Sequence, residues 1–302
     1  MSKLYLPCVQ REAKKQTRSV ITRTKCQAAV MGQSTSYQMQ SAADFKTGSD
    51  ACRTLGAAVP LAVVEEILLN LPAKDVVLIC RLVCRDWKEL VDSAAHWRAR
   101  CRREGFELRD ASRPPNDWRQ FYFLSKKRRN LLKNPRAEEK FNRWKLVENG
   151  GDGWKIEENV KSLPNETIEK MFVTSYGMCL KEQLIDLKKE GYSPAFMDHL
   201  QPGIKISDWY APRRDCGSFY RIRVELLDQK NKPIRTFEPD PVYFEQWNDQ
   251  EWCQMTHVFK LYGPGVRFIR FTHGGQDTKY WAGWYGIRVI NSSVEICPAA
   301  ER

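Results

Sequence analysis

Residues 59–97 read VPLAVVEEILLNLPAKDVVLICRLVCRDWKELVDSAAHW. Apolar residues recur three and four positions apart in three successive runs, which is the spacing of one face of an amphipathic helix. The first run ends at the Leu71-Pro72 pair, and the third reaches Trp97. We therefore expect three short helices, with Asp75 capping the second. So short a unit buries too little apolar surface to be stable alone, and we expect a partner to complete it.

The same stretch resembles an F-box over about residues 57–98. The resemblance rests on features that stand in register: Val59-Pro60, Leu71-Pro72, the Val83-Cys84-Arg85-x-Trp87 signature and the closing Trp97. In that family the three-helix unit binds the Skp adaptor of a cullin-based ubiquitin ligase, which connects it to the cullin and RING subunits. The resemblance implies that the adaptor is contacted by Val59, Pro60, Ile67, Leu71, Pro72, Val83 and Trp87.

The chain has 302 residues, a length that favours two domains joined by a linker. Its 49 Lys and Arg residues outnumber its 37 Asp and Glu residues, giving a formal net charge of +12. Such an excess raises nucleic acid or an anionic membrane as a partner. However, residues 1–30 carry seven basic side chains and one acidic side chain, so half of the excess lies there. Because no nucleic-acid-binding motif accompanies the charge, we predict no nucleic-acid partner.

Residues 1–55 are rich in Ser, Thr, Gln, Lys and Arg without sustained periodicity, so they are expected to be disordered. A basic, acid-poor leader of this kind also fits a mitochondrial transit peptide. Residues 31–36, MGQSTS, fit the N-myristoylation pattern. Gly32 would carry the lipid, and the chain would contact a membrane, only if translation began at Met31. Since the sequence has neither an apolar run of about 18 residues nor a secretory signal, it predicts a cytoplasmic protein.

Residues 98–135 are basic and are predicted to form a helical linker. The run KKRR at 126–129 resembles a nuclear-localisation patch, although a solvated helix face is the commoner meaning of such a run. Four aromatic residues are interleaved with these charges: Trp118, Phe121, Tyr122 and Phe123. We expect them to pack the linker onto a domain rather than to stack on bases.

Beyond Pro135 the pattern changes to strands. Residues 220–226 alternate apolar and charged side chains, which is the period of a half-buried strand. Closely spaced strands and turns indicate an antiparallel sandwich or jelly roll. The other strand-like runs are 234–237, 257–261, 266–271 and 294–296, and the turn signals are 149–153, 247–249 and 273–275. One helix is predicted near 181–189, carrying Leu184 and Leu187.

Four segments of this region resemble the F-box-associated domain of the F-box-only proteins that recognise sugar chains. They are NGGDGWKIEE (149–158), FVTSYGMCLKEQLIDL (172–187), DWYAPRRDCGSFY (208–220) and FTHGGQDTKYWAGWYGIRVINSS (271–293), with RNLLKNP (129–135) upstream. The resemblance implies an α+β multidomain protein: a three-helix F-box, a helical linker and an antiparallel, jelly-roll-like β-sandwich. The expected divisions are a tail over 1–55, the F-box over 56–103, the linker over 104–135 and the β domain over 118–299.

Members of that family bind the inner chitobiose of high-mannose N-glycans through loops at one end of the sandwich. The resemblance implies stacking by Trp281 with Tyr280 beside it, a pocket lined by Tyr176, and a carboxylate acceptor at Asp215. These residue types suit a pyranose, which has an apolar C–H face and a rim of hydroxyl groups. Ala282 departs from the family pattern, because some sugar-binding members carry a lysine there.

No catalytic constellation is evident in the sequence. The four histidines lie far apart, and there is neither a P-loop nor a G-x-S-x-G motif. Asp208 and Asp215 would suit a glycosidase only at a separation in space that a sequence does not give. Since no CxxC pair occurs, Cys80 and Cys84 are interpreted as core residues. We predict no catalytic residue, no cofactor and no metal.

Three functions are consistent with these features. The first is a substrate receptor of an SCF ubiquitin ligase that directs misfolded glycoproteins to endoplasmic-reticulum-associated degradation. The second is the same ligase subunit with protein substrates recognised without a glycan, which Ala282 favours. The third is a sugar-binding module outside the ligase, which the glycosylation sequons at Asn165 and Asn291 suggest and the F-box opposes.

Overall fold

The computed structural model describes residues 59–108, 112, 114–158, 163 and 167–298. The predicted tail over 1–55, with Gly32, lies outside the described residues. Asn165 of the first sequon lies outside them as well. Within the described residues, no helix is both long enough and apolar enough to cross a bilayer.

The first part of the described chain is helical. Its elements are α1 (Leu61–Asn70), α2 (Ala73–Leu78), a 3-10 turn (Cys80–Leu82), α3 (Arg85–Asp92), α4 (Ala94–Arg103) and α5 (Trp118–Lys127). The third predicted run is two helices, because the Ser93 hydroxyl accepts a hydrogen bond from the His96 amide at 3.2 Å and caps α4. The prediction that Asp75 caps the second helix is wrong: α2 begins after Pro72, and Asp75 lies inside its first turn.

The helices share one apolar core that includes the linker. Leu68, Val76 and Val91 are fully buried together with Trp97, and Tyr122 of α5 is buried in the same cluster. The aromatic residues of the linker therefore pack against the F-box helices, as predicted.

Arg100 belongs to the basic stretch that begins at residue 98, yet it is only 3 % exposed. Its Nη2 donates to the carbonyl oxygens of Leu68 at 2.6 Å and of Leu71 at 2.9 Å. The two carbonyls lie at the C-terminal end of α1, where the Leu68 carbonyl otherwise accepts only from the Leu71 amide of the C-cap, at 3.3 Å. The guanidinium therefore ties the end of α1 to α4.

The rest of the chain is an antiparallel β-sandwich, which confirms the predicted fold class. One sheet has the order β1-β4-β10-β6-β7, with β8 also paired to β6, and the other has the order β2-β3-β11-β5-β9. The strands are β1 Lys145–Asn149, β2 Lys155–Glu158, β3 Lys170–Val173, β4 Cys179–Asp186, β5 Gly203–Ala211, β6 Ser218–Leu227, β7 Pro233–Phe237, β8 Val242–Phe244, β9 Cys253–Phe259, β10 Phe268–Asp277 and β11 Arg288–Cys297. The helix α6 (Pro194–Leu200) lies between β4 and β5.

Two predictions from the sequence are wrong in this domain. The stretch near 181–189 is not a helix, since its first residues belong to β4. The signal at 273–275 is not a turn, because these residues lie inside β10 and pair with both β4 and β6. In β4 the polar residues Lys181 and Gln183 occupy buried positions, and in β10 the paired residues include two glycines, so neither strand has the composition typical of one.

The glycines of β10 allow its neighbours to approach closely. A Cβ atom on Gly274 would lie 1.9 Å from the Cys179 carbonyl oxygen, and one on Gly275 would lie 1.9 Å from the Phe219 carbonyl oxygen. Both glycines also have φ values, +154° and +156°, that side-chain-bearing residues rarely adopt. Glycine is thus required where β10 pairs with β4 and β6.

A polar network is buried inside the sandwich. The Asp208 carboxylate accepts hydrogen bonds from the Tyr220 hydroxyl at 2.6 Å and the Ser292 hydroxyl at 2.8 Å. It also contacts His273 Nδ1 at 2.5 Å, and Lys181 Nζ lies 2.6 Å from His273 Nε2. Lys181, Asp208 and His273 have no exposed surface. The histidine therefore bridges a buried amine and a buried carboxylate.

Burial lowers the pKa of His273 from 6.5 to about 4, against the opposing effect of the Asp208 charge. The unfolded chain then binds a proton near pH 6.5 that the folded chain does not bind until about pH 4. Stability that is present above pH 6.5 should be lost as the pH falls towards 4. Burial also lowers the pKa of Lys181, which gives a slope of the same sign at higher pH.

We predict that His273→Asn flattens the dependence of the unfolding free energy on pH between about 6.5 and 4. The expected loss of slope is at most about 1.4 kcal/mol per pH unit, the value for one proton. Urea unfolding at a series of pH values measures it, with the exposed His199→Asn as control. Equal slopes in His273→Asn and the unsubstituted chain would contradict the prediction.

Candidate functional site

Five loops lie at one end of the sandwich. Each joins the end of one strand to the start of another, and hydrogen bonds described below connect each loop to a neighbour. They are 150–154, 174–178, 212–217, 245–252 and 278–287. The four residues predicted to bind sugar lie in three of these loops: Tyr176, Asp215, Tyr280 and Trp281. The fold therefore brings together residues that are up to 105 positions apart in the sequence.

Three of the loops are joined by a closed set of hydrogen bonds. The Ser175 hydroxyl accepts from the Asp152 amide at 3.0 Å and donates to the Gly283 carbonyl at 2.6 Å. The Gly283 amide in turn donates to Asp152 Oδ2 at 2.7 Å. Because each loop bonds to the other two, these three loops are held together by the protein's own hydrogen bonds.

Tyr176 is half-buried against the first loop. A Cβ atom on Gly151 would lie 3.1 Å from Tyr176 Cδ1, and Gly151 has a φ of +63°. Glycine at this position lets the backbone lie against the tyrosine ring.

Tyr280 and Trp281 are the exposed aromatic residues of the last loop, with 71 % and 40 % of their surfaces exposed. Asp277 Oδ1 accepts from the amides of Lys279 at 2.8 Å and Tyr280 at 2.5 Å, and Tyr280 has a φ of +58°. The Tyr285 ring stands at 87° to the Trp281 indole, with the ring centroids 5.6 Å apart. The two aromatic side chains are thus supported by the loop but are not buried by it.

Asp215 lies in the loop beside this pair. The Thr278 amide donates to the Gly217 carbonyl at 2.8 Å, which places loops 212–217 and 278–287 side by side. Asp215 is half-buried, whereas both oxygens of Asp208 are engaged inside the sandwich. The glycosidase pair considered above is therefore not formed, since only one of its carboxylates is on this surface. Aromatic rings beside a carboxylate can bind an apolar ring that carries hydroxyl groups.

A second candidate surface lies on the F-box. Among the predicted adaptor contacts, Ile67 and Val83 are 46 % and 56 % exposed. Pro60 and Pro72 are also exposed, and Val59 and Trp87 are half-buried. Leu71 is only 7 % exposed and belongs to the helical core.

The F-box helices carry further exposed apolar residues that were not among the predicted adaptor contacts. They are Leu61, Val63, Leu78, Ile79 and Leu82, with 47 % to 74 % of their surfaces exposed. The sequence does indicate such residues, because the helices carry more apolar side chains than a single buried face can accommodate. Soluble monomers rarely leave such a group uncovered, so this apolar surface marks an interaction site.

The basic run at 126–129 connects the helices to the β domain. Lys126 Nζ donates to Glu104 Oε2 at 2.8 Å, beside the end of α4. Lys127 donates to the Gly191 carbonyl, Arg128 pairs with Glu295 at 2.6 Å, and Arg129 pairs with Glu190 at 2.5 Å. We call residues 126–133 the joint. The fifth cation of the joint, Lys133, lies 3.4 Å from Glu190 Oε1, so all five of its cations have partners within the fold.

The described residues contain no group of three or more His, Cys, Asp or Glu side chains that could hold a metal ion.

The chain matches two protein families. Residues 58–99 match the F-box domain, and residues 122–296 match the F-box associated region. F-box only protein 44 of Mus musculus is 48% identical over 244 residues, covering 80% of this chain and 96% of that protein. F-box only protein 6 of Bos taurus is 48% identical over 242 residues (79% and 91% of the two chains), and F-box only protein 2 of Bos taurus is 46% identical over 247 residues (80% and 83%). The chain therefore belongs to the F-box-only proteins that carry an F-box-associated region.

Proposed function

We propose that the chain is a non-catalytic substrate receptor of an SCF ubiquitin ligase that binds glycoproteins through their N-glycans. The F-box binds the Skp adaptor, and through it the cullin and RING subunits, while the loop end of the β domain binds the substrate. Its mechanism is proximity. Holding a substrate near a ubiquitin-conjugating enzyme that carries ubiquitin raises the effective concentration of the substrate's lysines.

The adaptor half of the proposal is supported by the exposed apolar surface of the F-box. The helices bury one core and leave a second apolar surface open to solvent. Helices from another chain would cover that surface by the usual packing of apolar faces in a groove.

The glycan half is carried by one observation: the exposed Tyr280-Trp281 pair beside Asp215 at the end of the sandwich. The indole offers an apolar plate to the C–H face of a pyranose. The ionised carboxylate accepts hydrogen bonds from hydroxyl groups, and such charge-assisted bonds are the stronger kind. Tyr176 adds a ring and a hydroxyl group on the adjacent loop.

The finer form of the proposal names the ligand and the pathway. The ligand is the chitobiose core of high-mannose N-glycans on misfolded glycoproteins. The receptor acts in the cytoplasm, where it directs these proteins to endoplasmic-reticulum-associated degradation. Of the two sequons, Asn291 lies within β11 and is half-buried, with its side-chain oxygen 3.3 Å from Arg136 Nε. This position does not suit an attached glycan and disfavours the sugar-binding module outside the ligase.

A glycan array probed with the full chain in complex with its adaptor tests the ligand. We expect retention of high-mannose chains and at least about a tenfold loss of affinity in Trp281→Ala, because the ring is a main apolar contact. Leu261→Ala removes a side chain that is 67 % exposed and lies at the other end of β9, so it serves as control. If high-mannose chains are not retained, or if Trp281→Ala changes nothing, the glycan proposal is wrong.

A second candidate keeps the ligase role but recognises the protein substrate itself. Ala282 favours it, since the residue is exposed and offers no hydroxyl-binding cation. Ala282→Lys separates the two candidates: it should strengthen glycan binding if the sugar lies against this loop. It should leave substrate binding unchanged if the substrate is recognised without its glycan.

A further inference from the structure

The loop 245–252 is bonded in register to the loop that carries Asp215. Gln246 Nε2 donates to the Asp215 carbonyl at 3.0 Å, and the Trp247 amide donates to the Arg214 carbonyl at 2.6 Å. Asn248 Nδ2 donates to the Arg213 carbonyl at 2.6 Å. Three consecutive residues thus bond to three consecutive carbonyls, and this arrangement fixes the backbone on both sides of Trp247.

These hydrogen bonds hold Trp247 in a strained backbone conformation, with its side chain exposed to solvent. It is 72 % exposed, and its φ of +66° is a left-handed backbone conformation that bulky residues rarely adopt. An exposed indole contributes little to folding. Such strain tends to persist at functional sites, where the surrounding structure enforces it.

Tyr280 shows the same two properties in another loop that is bonded to the Asp215 loop. Its surface is 71 % exposed, and its φ is +58°. Loop 212–217 is bonded to loop 278–287 through Thr278 and to loop 245–252 through residues 246–248. The loop that carries Asp215 is therefore bonded to two loops that each present an exposed aromatic side chain to solvent.

The surroundings of Trp247 favour a sugar over a polypeptide as its ligand. Its sequence neighbours are all polar: Glu245, Gln246, Asn248 and Asp249. A protein contact of this size is usually centred in a larger apolar patch that excludes water. A pyranose needs one ring for its C–H face and polar groups around it, which is what this loop provides.

We propose that Trp247 is a second stacking surface, which binds sugar units of the glycan beyond those held at Trp281. The glycan then crosses the Asp215 loop from one aromatic side chain to the other. This inference rests on the proposed glycan-binding function and extends it, since it makes recognition depend on the length of the glycan.

Calorimetric titration with two ligands tests the inference. The short ligand is chitobiose, and the long one is the N-glycan pentasaccharide in which three mannoses extend chitobiose. For Trp247→Ala we expect an unchanged Kd for chitobiose and a Kd for the pentasaccharide raised about three- to tenfold, the effect of one aromatic contact. Trp247→Phe keeps a ring and should restore most of the affinity.

The control is Leu261→Ala, which also removes an exposed side chain from a left-handed position, with φ of +47°, but at the other end of the sandwich. It should bind both ligands like the unsubstituted chain. Because Trp247 is exposed, both alanine variants should keep the thermal midpoint of that chain, and this measurement checks that they are folded.

Three results would overturn the inference while leaving the proposed function intact. One is an unchanged pentasaccharide affinity in Trp247→Ala, and another is an equal loss for both ligands, which would make Trp247 part of the first subsite. The third is a loss seen only with an intact glycoprotein, which would mean that Trp247 contacts the polypeptide. If the unsubstituted chain binds neither sugar, the proposed function fails and the inference fails with it.

Discussion

Val83→Glu is expected to weaken binding of the Skp adaptor at least about a hundredfold. Val83 is 56 % exposed in the free chain, so a carboxylate there stays in water and leaves the helical core intact. In the complex the same carboxylate would be buried without a partner, which costs several kcal/mol. A loss of 1.4 kcal/mol is about tenfold in affinity. Titration of the purified full chain with the purified adaptor measures the change.

The control is Arg102→Glu, which places a carboxylate at an exposed position of α4 and changes the net charge by two units, one more than Val83→Glu does. It should bind the adaptor nearly as well as the unsubstituted chain, and all three chains should melt at similar temperatures. An undiminished adaptor affinity in Val83→Glu would show that this surface is not the docking site.

Gly274→Ala should prevent stable folding of the β domain. The added Cβ atom would lie 1.9 Å from the Cys179 carbonyl oxygen in the neighbouring strand, and a backbone atom cannot move aside as a side chain does. Relief requires separating β10 from β4, which interrupts the centre of a sheet. We expect the free energy of unfolding to fall by more than about 4 kcal/mol, which is a large part of the stability of a typical domain.

Gly263→Ala is the control for this change, because Gly263 also has a positive φ of +85° but has no atom within 4 Å of an added Cβ. It should cost about 1 kcal/mol, the ordinary penalty for the backbone conformation. Urea unfolding and the yield of soluble protein compare the two variants. Equal stability would mean that β10 and β4 are not as close as described.

Several elements were predictable because their side chains follow the burial pattern. Residues 220–224 alternate in the sandwich as they do in the sequence, with Tyr220, Ile222 and Val224 buried. The strand β4 was mistaken for a helix because Lys181 and Gln183 occupy inward positions, which hides the period of two. The burial of Lys181 is explained by its contact with His273, and that residue is 92 positions away in the sequence.

In the candidate site, too, some residues were predictable from the sequence and one was not. Family motifs pointed to Tyr176, Asp215, Tyr280 and Trp281, and the fold places all four at one end of the sandwich. Trp247 had no comparable signal, since a single tryptophan in a polar turn does not reveal its exposure or its backbone conformation. Those properties come from hydrogen bonds to the loop at 212–217, which are long-range contacts.

The joint has a consequence for which substrate lysines receive ubiquitin. Residues 126–133 bond to both Glu104 and strand β11, so the domain that carries the proposed glycan site is bonded to the helices through the joint. If this domain binds the glycan as proposed, the glycosylated asparagine of the substrate is held at a fixed distance from the F-box. Lysines within a narrow band around the glycosylated asparagine would then be modified first, and moving that asparagine over the substrate surface would move the band with it.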